Sequence, residues 1–593
     1  MQHPVRLFDV MAWQQQRYPK PDMLARKEEG VWKKYSTAEV QELSRKFAAG
    51  LLSLGFGGEE QRQEEQVKIA ILSANRPEWL LTDLACQQAG AVLAPIYPTI
   101  SEPELEFVLN DSAARALFVS DIHLFEKVQH IRDRLPHLRQ VFSYDRISGV
   151  RHWSEVPALA TPELLAEVES ISNAITADHL ATILYTSGTT GIPKGVMLTH
   201  RNILSNVLAC APYLPVFPES RALSFLPLNH IFERMVSYLY MTAGVSIYYA
   251  ESMETISDNL REVKPGIFST VPRLLEKVYE KIMAKGLALK GIKRYLFFWA
   301  VNLGKQYEIN QPQSFWYRLQ LAIANKLVFS KWREALGGNL QGIITGAAAC
   351  QVRLLKIFTA AGMPILEGYG LTETSPVIAV NRFEENDRMF GTVGPLISGV
   401  EVKLAEDGEI LCKGPNVTIG YYKRPDLTAE SIKDGWFHTG DVGTLVAGRF
   451  LKITDRKKEL FKTSGGKFVA PQPVENKFKE SPFIEQIMVV GADRKFAGAL
   501  IVPNFSNLAD WARKQGLSFD THEQLLQYHP VTELFKQAVD KYNQFFNHIE
   551  QVKKFELLPQ EWTVAGGELT PTLKLKRKVI TEKYSGAIER IYS

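Results

Sequence analysis

The stretch YTSGTTGIPKG, from Tyr185 to Gly195, sets Gly188, Gly191 and Gly195 among the hydroxyls of Thr186, Ser187, Thr189 and Thr190, with one cation, Lys194. Glycines free backbone N–H groups, hydroxyls donate hydrogen bonds and a lysine adds a point charge, so a polyphosphate is the natural guest. This is not a Walker loop, which needs GxxxxGK followed by Ser or Thr. Here Lys194 is followed by Gly195, and Gly188 and Gly191 are only three apart. The apolar run from Ala181 to Leu184 just before the loop, and the ordered Pro-Lys-Gly ending, argue against a plain flexible linker.

The elements that must position this loop read as α/β. VKIAILSANRPEWLLTDLACQQAGAVLAPIYPT, from Val67, predicts a strand, a turn, an amphipathic helix and a second strand, the unit of a parallel sheet. ARALFVS from Ala114 and GVSIYYA from Gly244 predict further strands, and such sheets place their sites at the carboxyl ends of strands. The 593 residues suggest roughly four domain-sized units, and 45% hydrophobic residues suffice for large cores. A net charge of +4 is small for this length and argues against a nucleic-acid binder. Cys86, Cys210, Cys350 and Cys412 lie far apart with no CxxC pair, which fits a reducing cytosol rather than a disulfide framework or zinc cluster. The longest mainly apolar stretch, Val236 to Ala250, falls short of the roughly 20 residues of a spanning helix, so no membrane span is expected.

Residues 281–333 differ in texture. Ten basic side chains face one acid, Glu308, and are interleaved with Tyr295, Phe297, Phe298, Trp299, Phe315, Trp316, Phe329 and Trp332. Two helices packed on the body with solvated lysines are one reading. A surface that lies on anionic lipid is the other. Past Arg382 the pattern turns to short strands and Gly or Pro turns, and GTVGPLISGVEVKLAEDGEILCKGPNVTIGYY reads as a compact β unit with EDG as a hairpin turn. The charged run DRKKEL after Thr454 is a linker between differently textured regions.

Four stretches in order, YTSGTTGIPKG, EGYGLTETSP from Glu367, DGWFHTGDVGTLVAGRFLKITDRKKEL from Asp434 and GGELTPTLKLKRK from Gly566, resemble the adenylate-forming superfamily of acyl-CoA synthetases, adenylation domains and beetle luciferases. FHTGDVG, LKITDRKKEL, TSGGKFVAP and TPTLK narrow the resemblance to bacterial long-chain fatty acyl-CoA synthetases. The resemblance implies an N-terminal region, 1–455, of two α/β subdomains plus a β-barrel at about 383–455, and a small mobile α+β C-terminal domain, 456–593, hinged near 456–459.

It also implies roles. Thr186, Ser187, Gly188, Thr189, Thr190 and Lys194 bind the β- and γ-phosphates as they become a leaving group. Glu373 holds Mg²⁺ against them, and Thr372 hydrogen-bonds the α-phosphate. Glu367, Gly368, Tyr369 and Gly370 line the nucleotide site, Tyr369 giving adenine a flat face; Gly346 and Ala347, in IITGAAAC, run along the adenine and acyl pocket, with Ala347 where a further glycine is common. Asp441 accepts both ribose hydroxyls, and Arg456 also contacts the nucleotide. Lys458 sits at the hinge, and Gly466 and Lys467 frame the pantetheine channel. Lys574 is the catalytic cation, although Lys576, Arg577 and Lys578 crowd it and all four could form one solvated basic face. His230, in LPLNHIFER, is either a residue of the acyl and thiol site or a structural histidine.

The expected reaction is a two-step ligation: fatty acid and MgATP give acyl-AMP and pyrophosphate, then the thiol of coenzyme A takes the acyl group. No Ser or Cys nucleophile motif is present, and none is required. An acyl carrier protein or an amine as the acceptor is the nearest rival, and a non-catalytic lipid or nucleotide sensor is a rival of another class. Further expectations are a cytoplasmic protein, peripheral contact with the inner membrane face through 281–333, and a homodimer.

Overall fold

A computed structural model describes residues 3–58, 65–187, 193–570 and 573–593. Gly188, Thr189 and Thr190 of the glycine loop lie outside the described residues, as do Pro571 and Thr572 just before Lys574, and the side chain of Ser187 is likewise not described.

Two eight-stranded sheets make up most of the N-terminal part. One runs from Val377–Val380 through Ile365–Gly370, Gly342–Thr345, Ile267–Thr270, Arg221–Ser224 and Ser246–Tyr249 to Leu24–Glu28 and Val31–Tyr35. The other holds Gly420–Tyr421, Pro193–Thr199, Leu180–Ser187, Val92–Ile96, Lys68–Leu72, Ala116–Val119, Gln140–Ser143 and Arg151–His152. The unit read from Val67 is present: Lys68 pairs in parallel with Val92, and the helix Pro77–Gln88 connects the two strands.

That helix is buried throughout, as is nearly all of Ile231–Thr242. One core cluster joins them, drawing on residues of both sheets such as Ile69, Leu93 and Ile247. A buried ion pair crosses it: Arg234 donates to both oxygens of Asp83 at 2.9 and 2.5 Å, and the Tyr238 hydroxyl donates to Asp83 at 2.8 Å. Removing one member of such a buried pair costs about 3–5 kcal/mol, because its partner is left charged and alone.

Past Arg382 lies a five-stranded antiparallel sheet in which Trp436–Val446 pairs with Glu409–Lys413, Ile432–Lys433 and Phe450–Arg456. The EDG turn is there, with Gly408 at φ 82° between Glu401–Leu404 and Glu409–Lys413. Gly420–Tyr421 does not belong to this β unit, contrary to the sequence reading. It pairs antiparallel with Met197 and Val196 and so extends the sheet that carries the glycine loop.

The C-terminal part has a smaller three-stranded sheet, Ile484–Val490, Gly498–Pro503 and Lys554–Leu557. Side chains alternate across a strand, and here both faces are covered: Ile487, Val489, Ala499 and Ile501 enter one core, while Met488, Val490, Leu500 and Val502 enter another. Arg273 pairs with Glu485, and Arg353 donates to the Glu480 carbonyl at 2.8 Å, so this part rests on the N-terminal part.

The basic, aromatic region is more than two helices. Pro272 opens a helix that runs to Ala288, followed by Gly291–Lys305 and Phe315–Ala324, the last continued by Asn325–Phe329 and Ser330–Ala335. Among the described residues, no helix is long and apolar enough to cross a membrane, and all four cysteines are free and buried.

Candidate functional site

The expected nucleotide residues gather at the carboxyl ends of parallel strands. Thr345 ends Gly342–Thr345 beside Glu367 of Ile365–Gly370, and His230 follows the strand Arg221–Ser224. The glycine loop is bracketed by a hairpin in which Thr186 pairs with Lys194 and Ser187 with Pro193. This strand pairing fixes where Lys194 emerges. Its ammonium lies 5.7 Å from the centre of the Tyr421 ring, and the Tyr421 hydroxyl donates to Glu373 Oε1 at 2.9 Å. The Glu373 carbonyl also accepts from Thr418 N at 2.8 Å. Tyr421 therefore ties the loop lysine to the GLTET carboxylate.

Thr372 and Glu373 stand on a single turn of 3₁₀ helix just after Gly370. A side chain at Gly370 would put its Cβ 1.7 Å from the Pro376 carbonyl oxygen, so only glycine fits this close approach. Gly346 is packed less tightly, its ideal Cβ lying 3.5 Å from the Gly368 carbonyl and 3.8 Å from the Phe232 ring. Ala347 adopts φ 69°, a left-handed conformation that explains why glycine would suit the position.

Asp441 and Arg456 face each other across adjacent strands, with Arg456 Nε 3.1 Å from Asp441 Oδ1. The Tyr369 hydroxyl donates to Asp441 Oδ2 at 2.7 Å. Burial raises the Asp441 carboxyl above its ordinary range in spite of Arg456 and Tyr369. An ionised carboxylate has about four acceptor positions, so two remain open after these contacts.

Lys574 joins this group from the far end of the chain. Burial first, and then Arg456, push its ammonium down to about 8, while Asp441, Glu459 and Glu373 oppose the shift. His230 falls to about 4, through burial first and Lys574 second. The lysine thus stands within electrostatic reach of both His230 and the cluster of Asp441, Arg456 and Glu373. His230 also caps the helix Ile231–Thr242, its Nδ1 accepting from Phe232 N at 3.1 Å. It is therefore neutral near pH 7 and carries its proton on Nε2.

The four cations of TLKLKRK do not form one solvated face. Arg577 is held by both oxygens of Glu475 at 2.7 Å and by Glu459 at 2.9 Å. Lys578 points outward, with only a 4.0 Å approach to Glu582. Lys574 is shifted by burial and feels the charges of Arg456, Asp441 and Glu373.

Lys458 lies exposed in the turn between Arg456 and Leu460. Its neighbours are anchored on opposite sides: Lys457 pairs with Asp407 at 2.5 Å and Glu409 at 2.9 Å, and Glu459 accepts from Arg577. Gly466 and Lys467 form an exposed turn between Phe461–Lys462 and Phe468–Val469, with Gly466 at φ 74°. Among the described residues no hydrogen bond or ion pair joins either to the nucleotide residues. Glu367 is buried, accepts from Cys350 N at 2.7 Å and is pushed by burial up to about 8. Tyr421 was missed by the sequence reading; the signal available was the Gly-Tyr-Tyr run after the β unit.

Fold and site together define an enzyme that handles a nucleotide at the carboxyl ends of α/β strands, completed by a lysine from a separate C-terminal part. The chain belongs to the AMP-binding enzyme family, whose main domain matches residues 11–422 and whose C-terminal domain matches 459–593. It is 35% identical over 578 residues to the long-chain-fatty-acid–CoA ligase FadD15 of Mycobacterium bovis, covering 95% of this chain and 93% of that one. Long-chain-fatty-acid–CoA ligase 1 of Homo sapiens is 31% identical, covering 97% of this chain and 84% of its own. In fold the chain is similar to the anthranilate CoA ligase AuaEII in complex with anthranoyl-AMP, with a TM-score of 0.73 at 17% identity over 99% of this chain and 98% of that one.

Proposed function

We propose that this protein is a long-chain fatty acid–CoA ligase that works by two displacements at one site. The observation that carries the reading is the place of Lys574, within reach of His230 on one side and of Asp441, Arg456 and Glu373 on the other. In the first step a carboxylate oxygen attacks the α-phosphorus of ATP, and the bond to the β-phosphate breaks. Two anions must approach, so the main requirement is positive charge where charge develops. Lys574 supplies it between the fatty carboxylate and the α-phosphate, Thr372 hydrogen-bonds that phosphate, and Lys194 with the glycine loop holds the departing pyrophosphate. The open acceptor positions of Asp441 take the ribose hydroxyls, with Tyr369 and Arg456 holding the carboxylate in place.

The donors present fit Mg²⁺, which takes one or two carboxylates and completes its shell with phosphate oxygens and water. Glu373 offers such a carboxylate, its Oε1 oriented by Tyr421. Among the described residues no group of three or more acids, histidines or cysteines forms a ready-made cage, in keeping with an ion that arrives on ATP. When bound, it neutralises the phosphates and eases pyrophosphate departure.

In the second step the sulfur of coenzyme A attacks the acyl carbon, the bond to AMP breaks, and the thiol proton is lost. We take 1–455 and 456–593 as the two moving units, with Lys458 in the turn whose backbone angles change. The turn suits this role because only its flanks are anchored. Rotation withdraws Lys574 and opens the site to the thiol, with Gly466 and Lys467 as the residues then lining the pantetheine path. A long acyl chain partitions into bilayers, so the enzyme collects its substrate beside a membrane.

The test is pyrophosphate release across acids of increasing length, with and without CoA. Release that rises with chain length, with acyl-CoA formed from CoA alone, supports the reading. Acyl-AMP that accumulates unless a carrier protein or an amine is added would overturn the choice of acceptor.

A further inference from the structure

The helix Pro471–Phe478, which follows the turn at Lys458, is gripped at both ends by side chains of the N-terminal part. At its start, the buried Asp455 accepts from Gln472 N at 3.1 Å through Oδ2 and from Arg456 N at 2.6 Å through Oδ1. Ala470 and Pro471 open the helix and offer no side-chain oxygen of their own, so this carboxylate caps it. At its end, Arg353 donates to the Glu480 carbonyl at 2.8 Å and reaches the Lys479 carbonyl at 3.5 Å. An anion at the first turn and a cation on the carbonyls past the last turn both suit the helix dipole. Farther on, Arg273 pairs with Glu485 of the strand Ile484–Val490.

Both arginines are aimed by one polar network. Arg353 Nε donates to Gln351 Oε1 at 2.7 Å, Gln351 donates to Glu276 Oε1 at 2.8 Å, and Glu276 Oε2 accepts from Arg273 at 3.0 Å. Exposed ion pairs between flexible side chains contribute little. Here the side chains of Arg273, Glu276 and Glu485 are only 19%, 10% and 11% exposed, so the network is shielded and its geometry is held.

The gripped helix in turn holds the loop of the catalytic lysine. Its Glu475 is buried, takes Arg577 with both oxygens at 2.7 Å and accepts from Val489 N at 2.7 Å. Arg577 follows Lys574 by three residues in the sequence and opens the helix Arg577–Lys583. A line of polar contacts therefore runs from the N-terminal part, through Pro471–Phe478, to the segment that carries Lys574.

We propose that Arg353, Asp455 and the pair Arg273 and Glu485 are positioning residues for adenylation: they clamp the helix Pro471–Phe478 and, through Glu475 and Arg577, hold Lys574 at the reacting phosphate. The proposal deepens the ligase reading and rests on it for the reaction that is served. In that reading the C-terminal part turns away before the thiol attacks. The clamp therefore opens in each cycle and supports the first half-reaction alone.

The experiment compares the full chain with Arg353→Ala, Glu485→Gln, Asp455→Ala and Asp455→Asn. Pyrophosphate release from a fatty acid and MgATP should fall roughly tenfold in Arg353→Ala, which loses charged hydrogen bonds. In Glu485→Gln, which loses one ion pair, it should fall by about threefold. Thioester formation from supplied acyl-AMP and CoA should stay near wild type, which also checks that the variants fold. Asp455→Asn should keep most of the adenylation that Asp455→Ala loses, because asparagine caps helices about as well as aspartate. Trypsin cleavage in the exposed turn at Lys458 should become roughly tenfold faster in Arg353→Ala, since cleavage follows the population of the open form. Equal loss of both half-reactions in Arg353→Ala would overturn the proposal, because it assigns the residue to packing of the pocket segment before it. So would unchanged adenylation, or cleavage of the turn as slow as in wild type. Proteolysis needs no catalysis, so a wild-type chain that releases no pyrophosphate sinks the ligase reading while the clamp is still read from the turn.

Discussion

Two lysines are proposed to serve the site, and they are delivered in opposite ways. Lys194 leaves a hairpin embedded in an eight-stranded sheet, with its ammonium near a tyrosine ring that is itself bonded to Glu373. Lys574 arrives on a loop closed on itself by the isolated bridge Leu569↔Leu575 and by hydrogen bonds between Thr570 and Lys574, with Leu569 and Leu575 packed on the C-terminal core. The first cation is part of the scaffold. The second is held by its electrostatic surroundings, at a cost that burial makes visible by lowering it to about 8. In the proposed cycle a fixed charge holds the leaving group throughout, whereas the charge at the reacting phosphorus departs before the thiol takes its place.

The sharpest way to break this contrast is to remove each lysine and follow the two half-reactions separately. Lys574→Ala should lower adenylation by roughly a thousandfold and leave thioester formation from supplied acyl-AMP near wild type. Lys194→Ala should cost roughly tenfold to a hundredfold in adenylation and weaken inhibition by pyrophosphate. Equal loss of both half-reactions in Lys574→Ala would show that the lysine does not leave the site.

The proton on Lys574 gives a second handle. Its ammonium sits at about 8 where a free lysine stays charged to 10.5, so the cation is present below pH 8 and lost as pH rises through it. The kcat/KM for pyrophosphate release should therefore fall above about pH 8 in a one-proton step, because that parameter reports groups of the free enzyme. Lys574→Arg should move this limb out of range, since guanidinium keeps its proton. His230, at about 4, adds no acid limb between pH 5 and 7. A wild-type profile flat well above pH 8 would exclude Lys574 as the titrating group.

On the scaffold side, Tyr421→Phe removes the hydroxyl that orients Glu373 while keeping the ring beside Lys194. Groups that orient a metal-holding carboxylate are worth about tenfold or more in metal affinity. The Mg²⁺ concentration for half-maximal adenylation should rise by about tenfold, with kcat recovered at saturating Mg²⁺. An unchanged Mg²⁺ dependence would reduce Tyr421 to a packing residue.

Tyr421 also marks where sequence reasoning stopped. Lys194, Glu373, Asp441, Arg456 and Lys574 were legible because each sits in a motif whose residue types already suit phosphate, metal or ribose chemistry, and the structure gathers them. The parallel units from Val67 were legible because apolar periodicity is local. Pairing of Gly420–Tyr421 with Val196 and Met197 spans more than two hundred residues and has no local signature, so GYY read as the end of the β unit. The same limit hid the separation of Lys574 from Arg577, which depends on Glu475 and Glu459 rather than on spacing. The two-helix reading of residues 281–333, one of the two open there, missed where the first helix starts because charge does not mark it: that helix begins at Pro272, before the basic run.

The smallest effect tests Ala347, which stands where the family resemblance suggests a glycine. Ala347 holds φ 69° directly after Gly346 in the segment beside the Phe232 ring, so its methyl is carried in a conformation that costs an L residue about 1–2 kcal/mol. Ala347→Gly removes that strain but gives the unfolded chain about 0.4–1 kcal/mol of extra freedom. The difference leaves a net gain between about 0 and 1.6 kcal/mol in unfolding free energy, measurable by denaturant titration with an unchanged slope. Adenylation should change little, because the segment keeps its small side chains. A destabilised Ala347→Gly variant would mean that the methyl makes contacts worth more than the strain it imposes, and that the alanine was retained for packing.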